Sequence, residues 1–292
     1  PNKAGEGDLA PLLVASKFGH DRVVVQLLAS GAKADTTDAA GTTALLAATR
    51  NGHAAVVDLL LTSGADPNKP NDSGEIALVA AAEICRSDIV ARLLRDADRA
   101  AAKPDGTTAL HAAAAHCGAD IIVQLATARE QIDRRDQRGH TPLWLAADRG
   151  NTAAVEVLLA KGGDAVQVDK SGDTPLHRVA LGGHRDAAQM LVEKNPAINA
   201  ANRDGNTPLM LAANKGHEDI VRLLLVHGAN IDLRNRQGMS ALMLAAGGGH
   251  ERLVEFLLSQ KADRSLRNVR REQAEEIARA NGHKRIAARL RE

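Results

Sequence analysis

Six histidines follow a glycine at one recurring place in the chain: His20, His53, His184, His217, His250 and His283. Imidazoles ligate metals and move protons, so a regular set invites comparison with a metal array. Two more, His111 and His177, end the tetrapeptides "TALH" and "TPLH". Cys85 and Cys117 are the only thiols, and His116 adjoins the second, which is the residue set of a soft metal or redox site. Their separation of 32 residues lacks the short C-x2–4-C spacing that makes a zinc assignment specific. No G-x-S-x-G, H-E-x-x-H or G-x-x-x-x-G-K-[ST] occurs, and "GGGH" (247–250) falls between helical stretches rather than after a strand. Carboxylates recur at turn and helix-cap positions. No catalytic set, metal site or cofactor site assembles, and the chain is expected to be non-enzymatic.

The elements that carry these residues repeat. Tetrapeptides anchored on Leu12, Leu45, Leu78, Leu110, Leu143, Leu176, Leu209, Leu242 and a divergent Glu275 are spaced by 33 residues throughout, except for one interval of 32. Nine units at that period mean a solenoid. In the seventh, Thr207 caps a helix, Pro208 takes its first turn and Gly216 ends it. Ile220, Val221, Leu223 and Leu224 form the apolar stripe of a second helix, Gly228 stops it, and 229–238 turns into the next unit. One such pair cannot bury its apolar face alone, so neighbours must stack. The units run about 6–38, 39–71, 72–103, 104–136, 137–169, 170–202, 203–235, 236–268 and 269–292, in a single repeat domain over 1–292. The last, rich in charge around Ile277, Ala278, Ile286 and Leu290, reads as a solvent-facing cap. "PNKAGEGD" at the start offers no turn signal.

The motifs T-P-L-H, A-A-x-x-G-H and G-A-x-x-(N/D), with "GDTPLHRVALGGH" (172–184) the nearest copy, resemble the ankyrin-repeat family over about residues 8–292. The resemblance implies an all-α solenoid of helix-turn-helix units with projecting β-turn fingers, and the binding of other proteins as its usual work. Within that frame each Gly-His histidine is expected to hold its turn by hydrogen bonding once per unit, and His111, His177 and Trp144 to pack between repeats. Phe256 is expected in the core and Phe18 at an edge. Cys85 and Cys117, seven residues after their anchors where other units have Gly, read as small buried side chains. Stacked helices lie about 8–10 Å apart, beyond the 7 Å that a disulfide spans, so a bridge would require a distorted turn.

Composition excludes several classes. Among 292 residues 44% are apolar, but aromatics are confined to Phe18, Trp144 and Phe256, too few for the pockets of an enzyme of this size. A formal charge of +1 gives no global field toward nucleic acid or membrane. No apolar run reaches the ~18 residues of a spanning helix. Two cysteines are too few for a disulfide framework, and a cytoplasmic location is expected. A chain that begins at Pro1 rather than Met leaves a removed leader, and a periplasmic or secreted destination, open.

Function must then sit where the scaffold leaves residues free. By the family resemblance these are the finger tips and inner-helix ends of a concave face, at −6, −5, −3, +5 and +6 from each anchor. Repeats two to four place Arg50, Asp72, Glu75, Glu83, Ile84, Asp105 and His116 there, with one cation against four anions. Repeats five to eight place Arg138, His140, Asp148, Arg149, Lys170, Asp173, Arg203, Asp204, Asn206, Lys215, Arg236 and Met239, with six cations against three anions. The face is therefore expected to be bipolar, to orient a partner by charge, and to bind a protein or peptide whose acidic segment lies toward repeats five to eight. Repeat three departs most, with Ile76 in place of a capping Thr and "EICRSD" (83–88) in place of a Gly-His turn, so Ile84 stands beside acid as an apolar contact. With 26 Arg against 11 Lys, guanidinium forks are the expected anchors. Nucleic acid is disfavoured because Asp148, Asp173 and Asp204 alternate with the cations and no stacking aromatics accompany them. A monomer is expected. Two alternatives stay open: the repeat portion of a larger enzyme or effector, and thiol or metal sensing at Cys85, His116 and Cys117.

Overall fold

The computed structural model describes residues 10–194 and 197–291, so "PNKAGEGD" lies outside the described residues. By contacts the chain divides into two compact units, Pro1–Pro142 with Ala160–Gly163, and Leu143–Leu159 with Asp164–Glu292. The first carries α1 (Pro11–Lys17), α2 (Asp21–Ala29), α3 (Ala44–Arg50), α4 (Ala54–Thr62), α5 (Ala77–Glu83), α6 (Ser87–Leu93), α7 (Ala109–His116), α8 (Ala119–Leu125) and the short α9 (Arg129–Ile132). In it α1, α3, α5 and α7 stack as an inner row and α2, α4, α6 and α8 as an outer one.

The second carries α10 (Pro142–Arg149) and α11 (Thr152–Ala160), whose end residues Pro142 and Ala160 count with the first unit. It continues with α12 (Pro175–Gly182), α13 (Arg185–Lys194), α14 (Pro208–Lys215), α15 (Glu218–Val226), α16 (Ala241–Gly247), α17 (Glu251–Ser259), α18 (Ala274–Ala280) and α19 (Lys284–Arg291). Here α12, α14, α16 and α18 stack in sequence. Among the described residues no strand forms; Thr37 with Thr43 and Ala102 with Thr108 make isolated bridges.

The periodic residues do what their types require. All eight anchor leucines are buried, each worth roughly 1.5–3 kcal/mol of apolar transfer. Thr43, Thr108, Thr174, Thr207 and Ser240 accept from the amide three residues on, at the starts of α3, α7, α12, α14 and α16. Ile76 cannot, and is buried instead. Gly216 ends α14 at φ +75°. In the last repeat the leucine's replacement, Glu275, is held by Arg279 and Arg291, and their hydrogen bonds keep its carboxyl below the usual range.

The Gly-His histidines stitch neighbours. His53 Nε2 donates to Lys17 O (3.0 Å), His184 to Asp148 O, His217 to Leu181 O, His250 to Asn214 O and His283 to Gly247 O. The bond reaches the preceding repeat, so it fixes stacking as well as the turn. Repeat three lacks the histidine, and Arg86 Nη1 takes its place, donating to Gly52 O at 2.7 Å. Phe256 is half-buried rather than in the core, and the Arg222 guanidinium covers its ring at 3.8 Å.

His111 and His177 are fully buried. Each Nδ1 accepts from the amide and hydroxyl of its capping threonine, Thr108 or Thr174, and each Nε2 donates to the next repeat, at His140 O or Asn206 O. Burial holds both imidazoles below their ordinary value of 6.5. The folded chain therefore binds fewer protons than the unfolded one in acid. The stability tied to the neutral rings is present above about pH 6.5 and is lost as the pH falls below it. Melting followed from pH 7.5 to 5 should show this loss. It should be smaller in a chain with His111→Met and His177→Met, since Met210 and Met243 hold that place in other repeats. Equal acid sensitivity in both chains would count against the assignment.

Every finger but that of repeat four, which has Lys103 at the position concerned, is a side-chain-closed turn. Asp38, Asn71, Asp136, Asp169, Asn202, Asn235 and Asn268, seven residues before their anchors, accept from the amides two and four residues on. Gly205 at such a tip has φ +79°, and a Cβ there would lie 2.8 Å from Arg236 N of the following finger. Arg271 holds the corresponding place in the last repeat at φ +64°. We expect Gly205→Ala to cost about 1–3 kcal/mol in urea unfolding and Arg271→Gly to gain about 1 kcal/mol; equal and small effects would argue against this account.

Candidate functional site

Within each unit successive fingers are joined in register by one backbone bond per step, except between repeats three and four, where Pro104 has no N–H to donate and its ring lies against Gly74. In the first, Asp72 N donates to Ala40 O at 3.0 Å and Gln137 N to Asp105 O at 2.8 Å. In the second, Arg203 N donates to Ser171 O (2.9 Å), Arg236 N to Asp204 O (3.0 Å) and Val269 N to Gln237 O (3.0 Å). The donor always lies six residues before its anchor and the acceptor five before the preceding one. The main chain thus sets the position of these tips; in the first unit the side chain of Gln137 adds a bond to Pro104 O at 2.7 Å, whereas those of Arg203, Arg236 and Val269 in the second are exposed.

The structure redistributes the charges expected on this face. In the first unit Arg50 is paired with Glu75, and Glu83 with Lys103. Asp72 and Asp105 are exposed, Ile84 is 39% exposed, and His116 is exposed at the end of α7. Arg138 is exposed on its finger, while half-buried His140 bonds Asp136 at 3.0 Å.

In the second unit Asp148 and Asp173 are both taken up by Arg178, at 2.6 Å and 3.3 Å. Asp173 is buried and also accepts from Asn202, so it offers no free charge to a partner. Asn206 accepts from Asn235, and Met239 Sδ lies 3.7 Å from Asn268 Nδ2. Arg149, Lys170, Arg203, Lys215 and Arg236 remain exposed and form no ion pair among the described residues. Five cations therefore face one remaining carboxylate of the set, Asp204. Arg178 is the residue that sequence reasoning passed over. Its signal is its column: Val14, Ala47, Ala80, Ala112, Leu145, Leu211, Leu244 and Ile277 hold the same place elsewhere. It is kept there by Trp144, whose ring lies 4.9 Å from the guanidinium carbon and whose Nε1 donates to Asp173 O at 3.1 Å.

Two cavities open beside fingers. One of about 300 Å3 is lined by Leu13, Val14, Phe18, Asp38 and Arg50 among others. Phe18 is 61% exposed there, beside Lys17 and His20, more open than edge packing implies. The other, about 390 Å3, lies at Met239, Val269, Glu272 and Ile277.

The thiols correct the expectation of two separate buried cysteines: Cys85 and Cys117 form a disulfide, with Cα atoms 5.3 Å apart. No distorted turn is needed at Cys85, whose φ of +53° is the left-handed conformation that Gly216 takes at the same place. The approach comes from repeat four, where Cys117 leaves α7 extended (φ −97°, ψ 165°) rather than left-handed. With both sulfurs joined, neither supplies the thiolate that the Cys85, His116, Cys117 metal alternative requires. Among the described residues no three of His, Cys, Asp and Glu converge as a metal site, and no helix is long and apolar enough to cross a membrane.

Compared with known families, the profile described as ankyrin repeats (three copies) matches residues 3–71, 56–136, 110–202 and 196–268. No curated protein matches the chain.

Proposed function

Since the chain belongs to the ankyrin-repeat family, whose repeats are generally protein–protein interaction modules, we propose that it is a non-enzymatic scaffold that takes an acidic segment of a partner protein on the fingers of its second unit. The observation that carries this reading is the capture of Asp148 and Asp173 by Arg178. It removes the carboxylates that would have screened the row of Lys170, Arg203 and Arg236. Guanidinium and ammonium groups held on rigid tips bind carboxylates with directional, charge-assisted hydrogen bonds, and a row of one sign speeds and orients the encounter. In the first unit the pairing of Arg50 with Glu75 and of Glu83 with Lys103 leaves a weaker acidic remainder at Asp72 and Asp105, which supports a supplementary role there for Ile84 and His116.

A chain carrying Lys170→Glu, Arg203→Glu and Arg236→Glu should keep its circular dichroism and melting. It should bind a fluorescent polyglutamate peptide at least tenfold more weakly at low salt, a difference that shrinks as salt is added. Undiminished binding by the variant, or equal binding of a polylysine peptide to the native chain, would remove the basis of the proposal.

The disulfide supports a second proposal, that the protein works in an oxidising compartment, where such bridges persist. Alkylation of cells at the moment of lysis should then find neither thiol labelled; full labelling of both would return the chain to a reducing one.

A further inference from the structure

The row of fingertip cations in the second unit ends on an apolar residue. At −6 from successive anchors stand Lys170, Arg203, Arg236 and then Val269, which is 69% exposed although its amide is held by Gln237 O as those of Arg203 and Arg236 are held by their preceding fingers. Beside it opens the 390 Å3 cavity, to which Met239 and Ile277 contribute apolar surface. Its walls are fixed rather than loose: Asn268 Nδ2 bonds Glu272 at 2.8 Å, and Asn281 Nδ2 bonds Gly247 O at 2.8 Å. Glu272 and Arg270 line the cavity too, so its two charges offset each other and what sets it apart from the cation row is the apolar surface of Met239, Val269 and Ile277. The place that breaks the cation row is thus built for an uncharged, apolar side chain.

We propose that the second unit reads a composite segment of its partner: an extended stretch with a carboxylate at about every third residue, followed about three residues on by a leucine-like side chain. The carboxylates meet Lys170, Arg203 and Arg236, and the apolar side chain enters the cavity at Val269. This rests on the proposal that the fingers bind an acidic segment, and specifies its end. The spacing follows from stacking. Adjacent repeats lie about 8–10 Å apart and an extended chain advances about 3.3 Å per residue, so one finger step matches about three residues.

The test uses the whole chain and labelled peptides with Glu at every third position and Leu three residues after the last, in both chain directions. Companions carry Ser for Leu, or Gln for every Glu. The Leu peptide, in one of its two directions, should bind about tenfold or more tighter than its Ser companion. Val269→Asp, at an exposed position where melting should be unaffected, should abolish that advantage and leave the Ser peptide's affinity at or slightly below native. If Leu and Ser peptides bind alike while the Gln peptide does not bind, the apolar seat is overturned and the acidic reading stands. If an advantage for Leu survives Val269→Asp, the seat is elsewhere and the inference fails. If Glu and Gln peptides are indistinguishable, or a random single-stranded oligonucleotide binds as tightly as the Leu peptide, both readings fall.

Discussion

Replacing Cys85 and Cys117 by serine should lower the unfolding free energy of the first unit by about 3–4 kcal/mol, the chain-entropy value for a cross-link closing a loop of 32 residues. The bridge ties the ends of α5 and α7, so the loss falls on the interface between repeats three and four. That interface has no Gly-His histidine from repeat four to help it, because Gly118 stands where the imidazole would be. In a repeat array stability is close to a sum over units and their interfaces, so amide exchange should accelerate in α5 to α8 more than in α1. Reductant should reproduce the effect on the native chain and leave the serine chain unchanged. Two titratable thiols in the unreduced native protein, with no response to reductant, would show that the bridge is not formed.

Trp144→Ala should destabilise the second unit by about 3–5 kcal/mol, the usual cost of truncating a buried tryptophan. Trp144 is 6% exposed, supplies the ring beside Arg178 and donates to Asp173 O, so its removal opens a cavity and leaves that carbonyl without its indole donor. Trp144→His gives the discriminating comparison. His111 and His177 occupy the same place, each three residues after a threonine, as Trp144 is after Thr141, and each donates to the next repeat's carbonyl. Histidine should therefore recover part of the loss, and an equal cost for Ala and His in urea unfolding would mean that the donated bond contributes nothing there.

The scaffold was legible because each of its requirements recurs. A leucine every 33 residues, a threonine three before its partner amide and a glycine at a left-handed turn are local demands, met from sequence to backbone without reference to distant groups. The asparagines and aspartates that close the fingers are equally periodic, and the carboxylates among them stand at the turn positions where the sequence shows them recurring. Arg178 was harder, because what it neutralises, Asp148 and Asp173, depends on a long side chain reaching 30 residues back. The disulfide was illegible for a different reason: its short Cα separation arises where Cys117 abandons the repeat's own turn, and a periodic template predicts only the turns that follow it. The sequence-derived balance of charge on the second unit was therefore too low in cation, since it counted carboxylates that the fold uses internally.

The single backbone bond that links each finger to the next from repeat six to repeat nine has an evolutionary consequence. Because main-chain atoms set the spacing of these tips, a residue such as Arg203, Arg236 or Val269 can be exchanged without loosening its neighbours. Each repeat then behaves as an interchangeable cassette, and new ligand preferences can be composed one substitution at a time, with little of the folding cost that usually constrains a binding surface.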